Sequence, residues 1–555
     1  MDDVLDYDIT ISGNARVTSE SDFDNNAAIY VAGVSSGKID ISGSAELESK
    51  GPYAAGINVS TFEYGINNIH ISGSARVFAE GLGAIGLNFD PRESVATVSG
   101  HAREGAAGTN ASGIKLSRDQ NRLNILDDAV VYASGEGSAA LLLDAGNQAA
   151  FISGTVKSLD GVTGTAIRLD GDASIQLDEG ATLIGAFIGA NRIDTHDLIL
   201  NVGPQTSYIL ELSGPSLWNV EDLNGRDVFF NSQGLQSFFV GSLSASNSEI
   251  ANEMLFERVT QLTDSVLANA GGKGQKPWAD AYTGASERER GSGNIVDYET
   301  DIVGLSFGLP MASTDGYNVE LVFNYQNTEL NISNQSHVVE SDSLSVGVVF
   351  SELDKTDFWN LKGYTFLGRT DYEGERELMA NWATTGWSSI ASDYSSDHII
   401  VGAQANHQRA MANGMTLEGL LHANIAHEEI QSHTAMIDTQ SNESVFLDVV
   451  VWPEHTLTQA TLGGSIGVRS QIKGVQMFGR LGLAFSDLLS NDLAPYRRAN
   501  WNDGDANTTG TYVTGAMGLD YVSAGGIQFT TSLSGFSSDE DQTGFVANVG
   551  LEYRF

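Results

Sequence analysis

The chain has 555 residues, with 62 glycines, 8 prolines, no cysteine and a formal net charge of −42. The lack of cysteine excludes thiol catalysis, thiolate metal sites and disulfide crosslinks, and it suits a chain that crosses an oxidising compartment unfolded. The acidic excess argues against nucleic acid as a partner, because phosphate binding needs lysine and arginine.

The sequence shows neither a helical membrane span nor a signal peptide. No stretch approaches the ~18 consecutive apolar residues that a spanning helix needs. The first ten residues, MDDVLDYDIT, lack the basic start and the apolar run of a signal peptide. Two interpretations follow: the protein is cytosolic, or its true N-terminus, with the signal peptide, precedes Met1. The rest of the sequence favours the second.

A motif repeats through the first 193 residues. It reads ITISGNARV from Ile9, IDISGSAEL from Ile39 and IHISGSARV from Ile69. Weaker copies read TVSGHA, NILDDAVV and FISGTV, and a second motif lies between the copies as AAIYV, AAGINV, AIGLNF, ASGIKL, AALLL and AIRLD. Both motifs alternate apolar and polar residues and break at turn residues, which is typical of strands. Several short strands in each period of 27–30 residues predict a right-handed parallel β-solenoid over residues 1–193.

Residues 194–245 are predicted to cap this solenoid. The repeats fade near Ile193, and aromatic residues enter the pattern: Trp218, Phe229, Phe230, Phe238 and Phe239. A stack of coils exposes an edge at its end, so a terminal segment of different composition is expected there. We assign Trp218 to this cap.

Residues 246–275 break the β pattern and predict a helix. Apolar side chains recur at spacings of three and four, at Ile250, Met254, Leu255, Val259, Leu262, Val266 and Leu267. A helix over 248–270 would be roughly 35 Å long at ~1.5 Å per residue, but its charged residues exclude contact with lipid. It is either a linker helix packed on a soluble domain or a helix inside a water-lined barrel. The strands that follow favour the barrel.

Twelve alternating segments follow Lys276. They lie near 277–286, 297–309, 317–326, 341–351, 356–369, 396–409, 415–428, 455–470, 474–486, 509–522, 526–537 and 543–555. Most reach the ~9–11 residues of a tilted membrane strand. In the last segment an apolar face alternates with a small or polar face, the pattern of a strand with lipid outside and a lumen inside. The predicted fold class is therefore all-β: a β-solenoid, then a 12-stranded antiparallel transmembrane β-barrel over 276–555 with a helix in its pore.

The connections between these segments alternate in length. Those after the even-numbered strands are short, and most of the others are long and polar, reaching 26 residues at 370–395. Outer-membrane barrels have short periplasmic turns and long outer loops, whereas a soluble sandwich has no reason for this asymmetry. Six aromatic residues near strand ends are assigned to interfacial girdles: Trp278, Tyr282, Trp359, Tyr364, Tyr521 and Tyr553.

Four sequence motifs resemble those of bacterial autotransporters (type V secretion). KPWADAYTG from Lys276 and YETDIVGLSFGLP from Tyr298 are similar to the first two strands of the family's barrel. SLWNVEDLNGRDVFF from Ser216 is similar to the cap that closes family passengers, which are pertactin-like β-helices, and helps them fold. The terminal Tyr553-Arg554-Phe555 matches the family's assembly signal. The resemblance covers essentially the whole chain.

This resemblance implies a bacterial outer-membrane barrel that exports its own passenger to the cell surface and anchors it there. The implied partners are the outer-membrane lipid bilayer, periplasmic chaperones and the barrel-assembly machinery, which would read Tyr553 and Phe555. Some members cut the pore helix at an Asn-Asn pair. Asn252 is flanked here by Ala251 and Glu253, so no cleavage residue is assigned.

Three glycine-rich motifs are interpreted as structural. Gly-x-Ser-x-Gly occurs around Ser306 and Ser465 within alternating barrel strands, whereas a nucleophile elbow needs a strand-turn-helix. GLGAIG from Gly81 matches a dinucleotide-binding fingerprint, but no βαβ unit surrounds it and it falls at a solenoid turn.

Two polar clusters are interpreted as loop polarity. His427-Glu428-Glu429 with His433 lacks the helical spacing of a zinc protease and is placed in an outer loop. Asp503-Gly504-Asp505-Ala506-Asn507 starts like a calcium loop, but Thr514 stands where the bidentate glutamate belongs. The calcium-binding solenoid repeat Gly-Gly-x-Gly-x-Asp does not occur. We therefore expect no catalytic residue, no metal and no cofactor.

Two functions remain open for the passenger. It is an adhesin or self-association surface that binds host or bacterial surface ligands, or it belongs to a surface protease or esterase whose catalytic part lies upstream of this chain. The stretch from Met1 to Asn201 carries no catalytic triad, and few insertions interrupt the coils. This favours the adhesin and a protein that is not an enzyme.

Overall fold

A computed structural model describes most of the chain. It covers residues 6–553 except 23–25, 34–35, 62–65, 179, 191–193, 201–207, 224–229, 234–235, 240–253, 264–275, 289–297, 314–315, 333–336, 353–358, 412–413, 438–449, 453, 473, 492–509, 524–526 and 540–541. The chain divides into two compact units. The first comprises Met1–Ser242, Glu377–Ser388 and Thr439–Ser444, and the second Leu243–Arg376, Ser389–Asp438 and Val445–Phe555.

The first unit is the parallel β-solenoid that the repeats predict, built from three parallel sheets. One sheet contains β1 (Tyr7–Ile11), β4 (Gly37–Ile41), β7 (Asn67–Ile71), β10 (Val95–Val98), β13 (Arg122–Ile125), β16 (Gln148–Ile152), β19 (Ala173–Leu177), β22 (Thr195–Leu200) and β25 (Leu217–Asp222). A second contains β2 (Arg16–Glu20), β5 (Glu46–Lys50), β8 (Arg76–Glu80), β11 (Arg103–Ala107), β14 (Val130–Ser134), β17 (Thr155–Ser158) and β20 (Thr182–Ile184). The third contains β3 (Ala27–Gly33), β6 (Ala55–Thr61), β9 (Ile85–Phe89), β12 (Ser112–Leu116), β15 (Ala139–Leu143), β18 (Thr165–Leu169), β21 (Ala186–Gly189) and β24 (Leu212–Ser213). A 3₁₀ turn spans Gly161–Thr163.

Equivalent residues of successive coils stack in register. Ile9 pairs with Ile39, and Ile39 pairs with Ile69, as the repeat spacing requires. The same column continues through Ala96, Leu123, Ala150, Ile175, Leu198 and Val220. Its members from Ile39 to Leu198 are all buried. Burial of one Ile or Leu side chain stabilises the fold by about 1.5–3 kcal/mol, so this ladder of apolar residues fixes the register.

The end of the solenoid differs from its coils. Trp218 of β25 packs edge-on against Phe187, with ring centroids 5.0 Å apart, and lies equally close to the ring of His196. Two short strands, β26 (Phe230–Gln233) and β27 (Gln236–Phe239), form an antiparallel pair, and β23 (Tyr208–Leu210) pairs with β27. Trp218 thus covers the end of the core where the sequence predicts a cap. Phe229 lies outside the described residues.

The second unit is a closed antiparallel barrel of twelve strands. They are β28 (Trp278–Arg288), β29 (Tyr298–Ser313), β30 (Tyr317–Ile332), β31 (His337–Glu352), β32 (Asn360–Ala380), β33 (Trp387–Ala410), β34 (Thr416–Ile430), β37 (His455–Ile472), β38 (Val475–Asn491), β39 (Gly510–Val522), β40 (Ile527–Ser538) and β41 (Gln542–Tyr553). Pairing of β28 with β41, from Trp278 opposite Glu552 to Arg288 opposite Gln542, closes it. Two short strands, β35 (His433–Ile437) and β36 (Val450–Trp452), form a further hairpin after β34.

Side chains alternate across the barrel wall. In β29, Val303, Leu305 and Phe307 are exposed on the outside, whereas Ile302 and Ser306 are buried inside. In β41, Phe545, Val549 and Leu551 are exposed in the same way. All twelve predicted strands are confirmed, with apolar side chains facing outward as lipid requires. No helix among the described residues has the length and apolar character to cross a membrane.

The long connections are shorter than predicted. Strand β32 continues to Ala380 and β33 begins at Trp387, so most of the expected loop 370–395 is a β-hairpin. Strand β30 likewise extends to Ile332, and β31 begins at His337. Backbone pairing continues beyond the apolar band, where strands no longer need one lipid-facing side. The apolar alternation that marks a membrane strand is lost there, and the sequence therefore predicted a loop.

Candidate functional site: the barrel lumen and its helix

A helix, α1 (254–263), occupies the barrel lumen. Leu255, Val259 and Leu262 are buried in one cluster with inward side chains of seven barrel strands. Those side chains are Trp278, Val322, Val349, Tyr364, Phe366, Ile400, Ala426, Ile430 and Leu457. On another face of the helix, Phe256 stacks on Tyr512 with ring centroids 4.8 Å apart. Contacts with so many strands place the helix inside the barrel and confirm the predicted pore helix.

The helix runs from the long-hairpin end of the barrel towards the short-turn end. Its first described residue, Met254, clusters with Tyr298, Leu330 and Val339, which all lie next to the long-hairpin connections. Thr263, its last described residue, lines a cavity with Leu420, which lies near the short-turn end. Short turns of outer-membrane barrels are periplasmic, so the N-terminal end of α1 faces the cell exterior.

A buried ionic network holds the helix to the wall. Arg258 Nη1 lies 3.1 Å from Glu428 Oε1, and Arg258 Nη2 donates to the Tyr372 hydroxyl at 2.7 Å. The Tyr372 hydroxyl donates to the same Glu428 oxygen at 2.6 Å, and the Ser396 hydroxyl also donates to it. The Arg258 and Glu428 side chains are 2% and 0% exposed. A charge buried this deeply needs a partner, so the pair fixes the depth and rotation of α1.

The helix does not fill the whole lumen. A cavity of about 120 Å³ lies beside it, lined by polar side chains that include Thr260, Gln261 and Arg480. A space of this volume is large enough for several water molecules. The polar face of α1 therefore meets water and polar wall residues rather than lipid, which explains how a charged helix lies at membrane depth.

Several aromatic residues that were assigned to the lipid interface face the lumen instead. Trp278, Tyr282 and Tyr364 are each less than 5% exposed. Their rings lie over glycines of neighbouring strands: a Cβ at Gly308, Gly304 or Gly402 would overlap Trp278, Tyr282 or Tyr364, respectively. The girdle assignment of these three residues is therefore wrong, because an inward ring packs on an inward glycine. Trp359 and Tyr521 are exposed, as a girdle requires.

Some of the predicted site residues lie outside the described part of the chain. These are Ile250 and Val266 of the pore helix and Phe555 of the assembly signal. Asn252, to which no cleavage role is assigned, and the cluster Asp503–Asn507 also lie outside it. Tyr553 ends the last strand, β41. The described helix residues Met254, Leu255, Val259 and Leu262 are buried.

The glycine-rich motifs lie where the sequence places them. Ser306 is in β29 and donates to Asn324 Oδ1 at 2.8 Å, and Ser465 is in β37. Neither serine sits on a strand-turn-helix. Gly304 and Gly308, which flank Ser306, make room for the rings of Tyr282 and Trp278. Gly81 and Gly83 have φ values of +143° and +60° at a turn before β9, as expected of a solenoid turn.

The cluster His427-Glu428-Glu429 is not in a loop. It lies inside β34, and Glu428 is the buried partner of Arg258. The placement in an outer loop was wrong because polar residues that face the lumen resemble loop composition. One signal in the sequence, the alternation of side chains, could have placed this cluster in a strand. Ala426 and Glu428 are inward, whereas Ile425 is exposed to the outside.

Residues 277–440 match the family model of the autotransporter beta-domain. Over these residues the C-terminal unit is similar to an autotransporter β-domain. The translocator domain of the autotransporter NalP from Neisseria meningitidis is similar at 16% identity and a TM-score of 0.42, covering 57% of this chain and 99% of that one. The beta domain of the Bordetella autotransporter BrkA is similar at 16% identity and a TM-score of 0.36, covering 50% and 99%. No curated protein matches the chain. The autotransporter β-domain is an outer-membrane barrel, so its lipid-facing side chains meet the bilayer of a bacterial outer membrane.

Proposed function

We propose that the autotransporter β-domain exports residues 1–245 and anchors them at the cell surface. The observation that carries this proposal is the direction of α1 inside the closed barrel. Its C-terminal end leads towards β28 at the short-turn end, and its N-terminal end faces the exterior. A chain held in this way passes through the lumen once, which leaves everything before the helix outside the cell. Assembly of the barrel would use the barrel-assembly machinery and periplasmic chaperones.

The test of export uses intact cells that express the whole chain. A biotin ester that does not cross the outer membrane should label lysines of the passenger, such as Lys38 and Lys115, in intact cells. A periplasmic protein serves as the control and should stay unlabelled. If passenger lysines react only after the cells are lysed, the proposed topology is wrong.

For the exported passenger we propose adhesion or self-association. The regular structure of the solenoid supports this proposal. Successive coils pair residue by residue from β1 to β25, with polar and charged side chains along the outer faces. The ion pairs Lys50–Glu80, Lys115–Asp144 and Arg118–Asp90 join neighbouring coils on these faces. A long face of this kind suits multivalent contact with another surface, because weak contacts repeat along it.

A cell-settling assay distinguishes a passenger that acts in adhesion from one that acts as an enzyme. Cells with the whole chain should clump or bind surfaces more than matched cells with residues 1–242 deleted and the barrel retained. An esterase or protease activity that is lost in the deletion, without any change in clumping, would favour the enzyme alternative. Ser306→Ala and Ser465→Ala should leave either activity unchanged, because both serines lie in barrel strands.

A further inference from the structure

Two aromatic side chains lie close together on the outer face of the second sheet of the solenoid. Phe78 in β8 and Tyr132 in β14 belong to the same column of outward residues and are two coils apart. Neighbouring strands are ~4.8 Å apart, so the backbones of these two residues are roughly 10 Å apart. Their ring centroids, however, are only 6.3 Å apart, and the angle between the ring planes is 22°. The two rings therefore lean towards each other over the coil between them.

Gly105, in the strand β11 between these two residues, allows the rings to lie flat on the sheet. A Cβ on Gly105 would lie within 2.7 Å of Cζ, Cε1 and Cε2 of Tyr132. A point so close to three ring atoms lies against the face of the ring, so the Tyr132 ring lies across the glycine backbone. The Phe78 ring is nearly parallel to it, and both side chains are half-buried. The two rings thus form one flat surface towards solvent, which we call the aromatic platform (Phe78 and Tyr132).

Two arginines lie beside the aromatic platform. Arg76 in β8 and Arg103 in β11 are directly opposite each other on neighbouring coils, and both are exposed. The guanidinium carbon of Arg76 lies 5.0 Å from the centroid of the Phe78 ring, a cation–π contact. Within the described part of the chain neither arginine forms an ion pair. Like charges at opposite positions of paired strands repel each other, so these two guanidinium groups favour an anionic partner.

The carboxylates on the same face already have cationic partners. Arg16 lies 3.7 Å from Glu46 and 3.1 Å from Glu48. Lys50 lies 3.3 Å from Glu48 and 3.3 Å from Glu80. These contacts neutralise the acidic residues next to the platform. The positive charge of the two unpaired arginines is therefore left for a ligand, on a chain whose net charge is −42.

The chemistry of this face matches a sugar chain that carries carboxylates. The face of an aromatic ring is partly negative, so the polarised C–H groups on one side of a sugar ring pack well against it. The guanidinium group of arginine binds a carboxylate through two parallel hydrogen bonds. A nucleic acid would also offer rings and anionic groups, but the acidic excess of the chain repels a polyanion of that charge density.

We propose that the outer face of the second sheet binds a polyuronate, a chain of sugars with one carboxylate on each unit. Its sugar rings would stack on the aromatic platform, and its carboxylates would bind Arg76 and Arg103. The ~4.8 Å between coils is close to the length of one sugar unit, so successive units can meet successive coils. Lys157, opposite Tyr132 in the next coil, would meet a further carboxylate. This inference rests on the proposed adhesion and names the class of its ligand.

The test measures binding of a fluorescently labelled hexagalacturonate to the whole protein in detergent micelles, by fluorescence anisotropy. The wild type should bind this probe at least about tenfold more tightly than a labelled neutral hexasaccharide of glucose, because hydrogen bonds to charged groups contribute that much. Tyr132→Ala and Arg103→Gln should each weaken binding of hexagalacturonate about tenfold. Tyr132→Phe keeps the ring and should bind like the wild type, and Arg103→Lys, which keeps only the charge, should be intermediate.

Two variants on the other sheets are matched controls. Arg122→Gln removes an exposed arginine of the first sheet, and Tyr30→Ala removes a tyrosine of the third sheet that is 62% exposed. Both should bind hexagalacturonate like the wild type, and all variants should keep the wild-type circular dichroism spectrum.

Three results would overturn the proposal: no binding of hexagalacturonate by the wild type, equal binding of the neutral probe, or wild-type affinity in both Tyr132→Ala and Arg103→Gln. Cell assays separate this outcome from a failure of the proposed adhesion. If the purified proteins behave as expected but cells with the whole chain neither clump nor bind surfaces, the glycan site is supported and the adhesive function is wrong. If cells adhere while the purified variants all bind like the wild type, adhesion uses another surface and the polyuronate site is wrong.

Discussion

Arg258 on the lumen helix and Glu428 in barrel strand β34 form an ion pair that is almost wholly removed from water. Tyr372 and Ser396 complete the hydrogen bonding of the shared carboxylate oxygen. Removing one partner of such a pair leaves an uncompensated buried charge and costs about 3–5 kcal/mol. The ion pair therefore stabilises the position of α1 in the lumen.

Loss of the Arg258–Glu428 ion pair is predicted to change the conductance of the barrel. Arg258→Met and Glu428→Gln should each loosen the helix, so that the whole protein in planar bilayers opens more often and to larger conductance. The double variant should be closer to wild type than Arg258→Met alone, because it leaves no unpaired charge. Arg469→Met is a matched control: Arg469 binds Glu418 and Asp520 of the wall, not the helix. Equal conductance of the wild type, the two single variants and the double variant would show that the pair does not hold the helix.

The pairing of inward rings with glycines predicts a defect in barrel assembly. Gly304→Val would place a branched side chain in the space of the Tyr282 ring, whose hydroxyl shares its proton between Asn324 Oδ1 and Gln326 Oε1. Overpacking of this kind costs about 1–3 kcal/mol, so the yield of heat-resistant barrel should fall. Gly479→Val is the control, since no atom lies within 4 Å of a Cβ there. A similar loss in both variants would mean that strand propensity, not the ring, is responsible.

The C-terminal aromatic residue is predicted to be an assembly signal. Phe555→Ser should reduce the amount of heat-resistant barrel in outer-membrane fractions, because the assembly machinery reads the family's terminal aromatic residue. Tyr521→Ser replaces an exposed aromatic residue of β39 and should have a smaller effect. Normal yield of the Phe555 variant would remove the basis for this assignment.

The sequence predicts the repeating parts of this fold because their signals are local. Alternation at Ile9, Ile39 and Ile69 defines the solenoid register, and the spacing of Leu255, Val259 and Leu262 defines one helix face. Glu428 and its charged partner Arg258 are 170 residues apart in the sequence, and its partners Tyr372 and Ser396 lie on other strands. Such pairs leave no periodic trace in a single sequence. Inward rings such as Tyr282 were misplaced for the same reason, since the glycine beneath each ring lies on another strand.

One buried carboxyl group interrupts the solenoid core. Glu104 of β11 stands in the column where Val77 and Val131 occupy the neighbouring coils. It is fully buried, and neither of its oxygens has a hydrogen-bond partner. A Cβ at Gly86 would overlap the Glu104 carboxyl group, so this glycine leaves the space for the longer side chain. Burial raises the pKa of this carboxyl well above its usual range, because a charge is poorly solvated in an apolar core.

Glu104 should make the passenger more stable in acid. In the folded state the Glu104 carboxyl keeps its proton at pH values where the unfolded chain, with an ordinary pKa near 4.5, has released it. The stability of the passenger is therefore highest below pH 4.5 and falls as the pH rises towards the raised pKa. Glu104→Val should remove this dependence and raise stability at pH 7.5 by about 1–3 kcal/mol, the cost of an unsatisfied buried group. Hydrogen exchange measures this change in stability for the whole protein in detergent micelles at pH 5 and 7.5. Exchange rates are read at residues 95–116 and corrected for intrinsic rates. Glu136→Gln, at an exposed position, is the control and should keep the wild-type dependence. A Glu104→Val protein that exchanges faster than wild type at pH 7.5 would mean that Glu104 has a stabilising partner in the core.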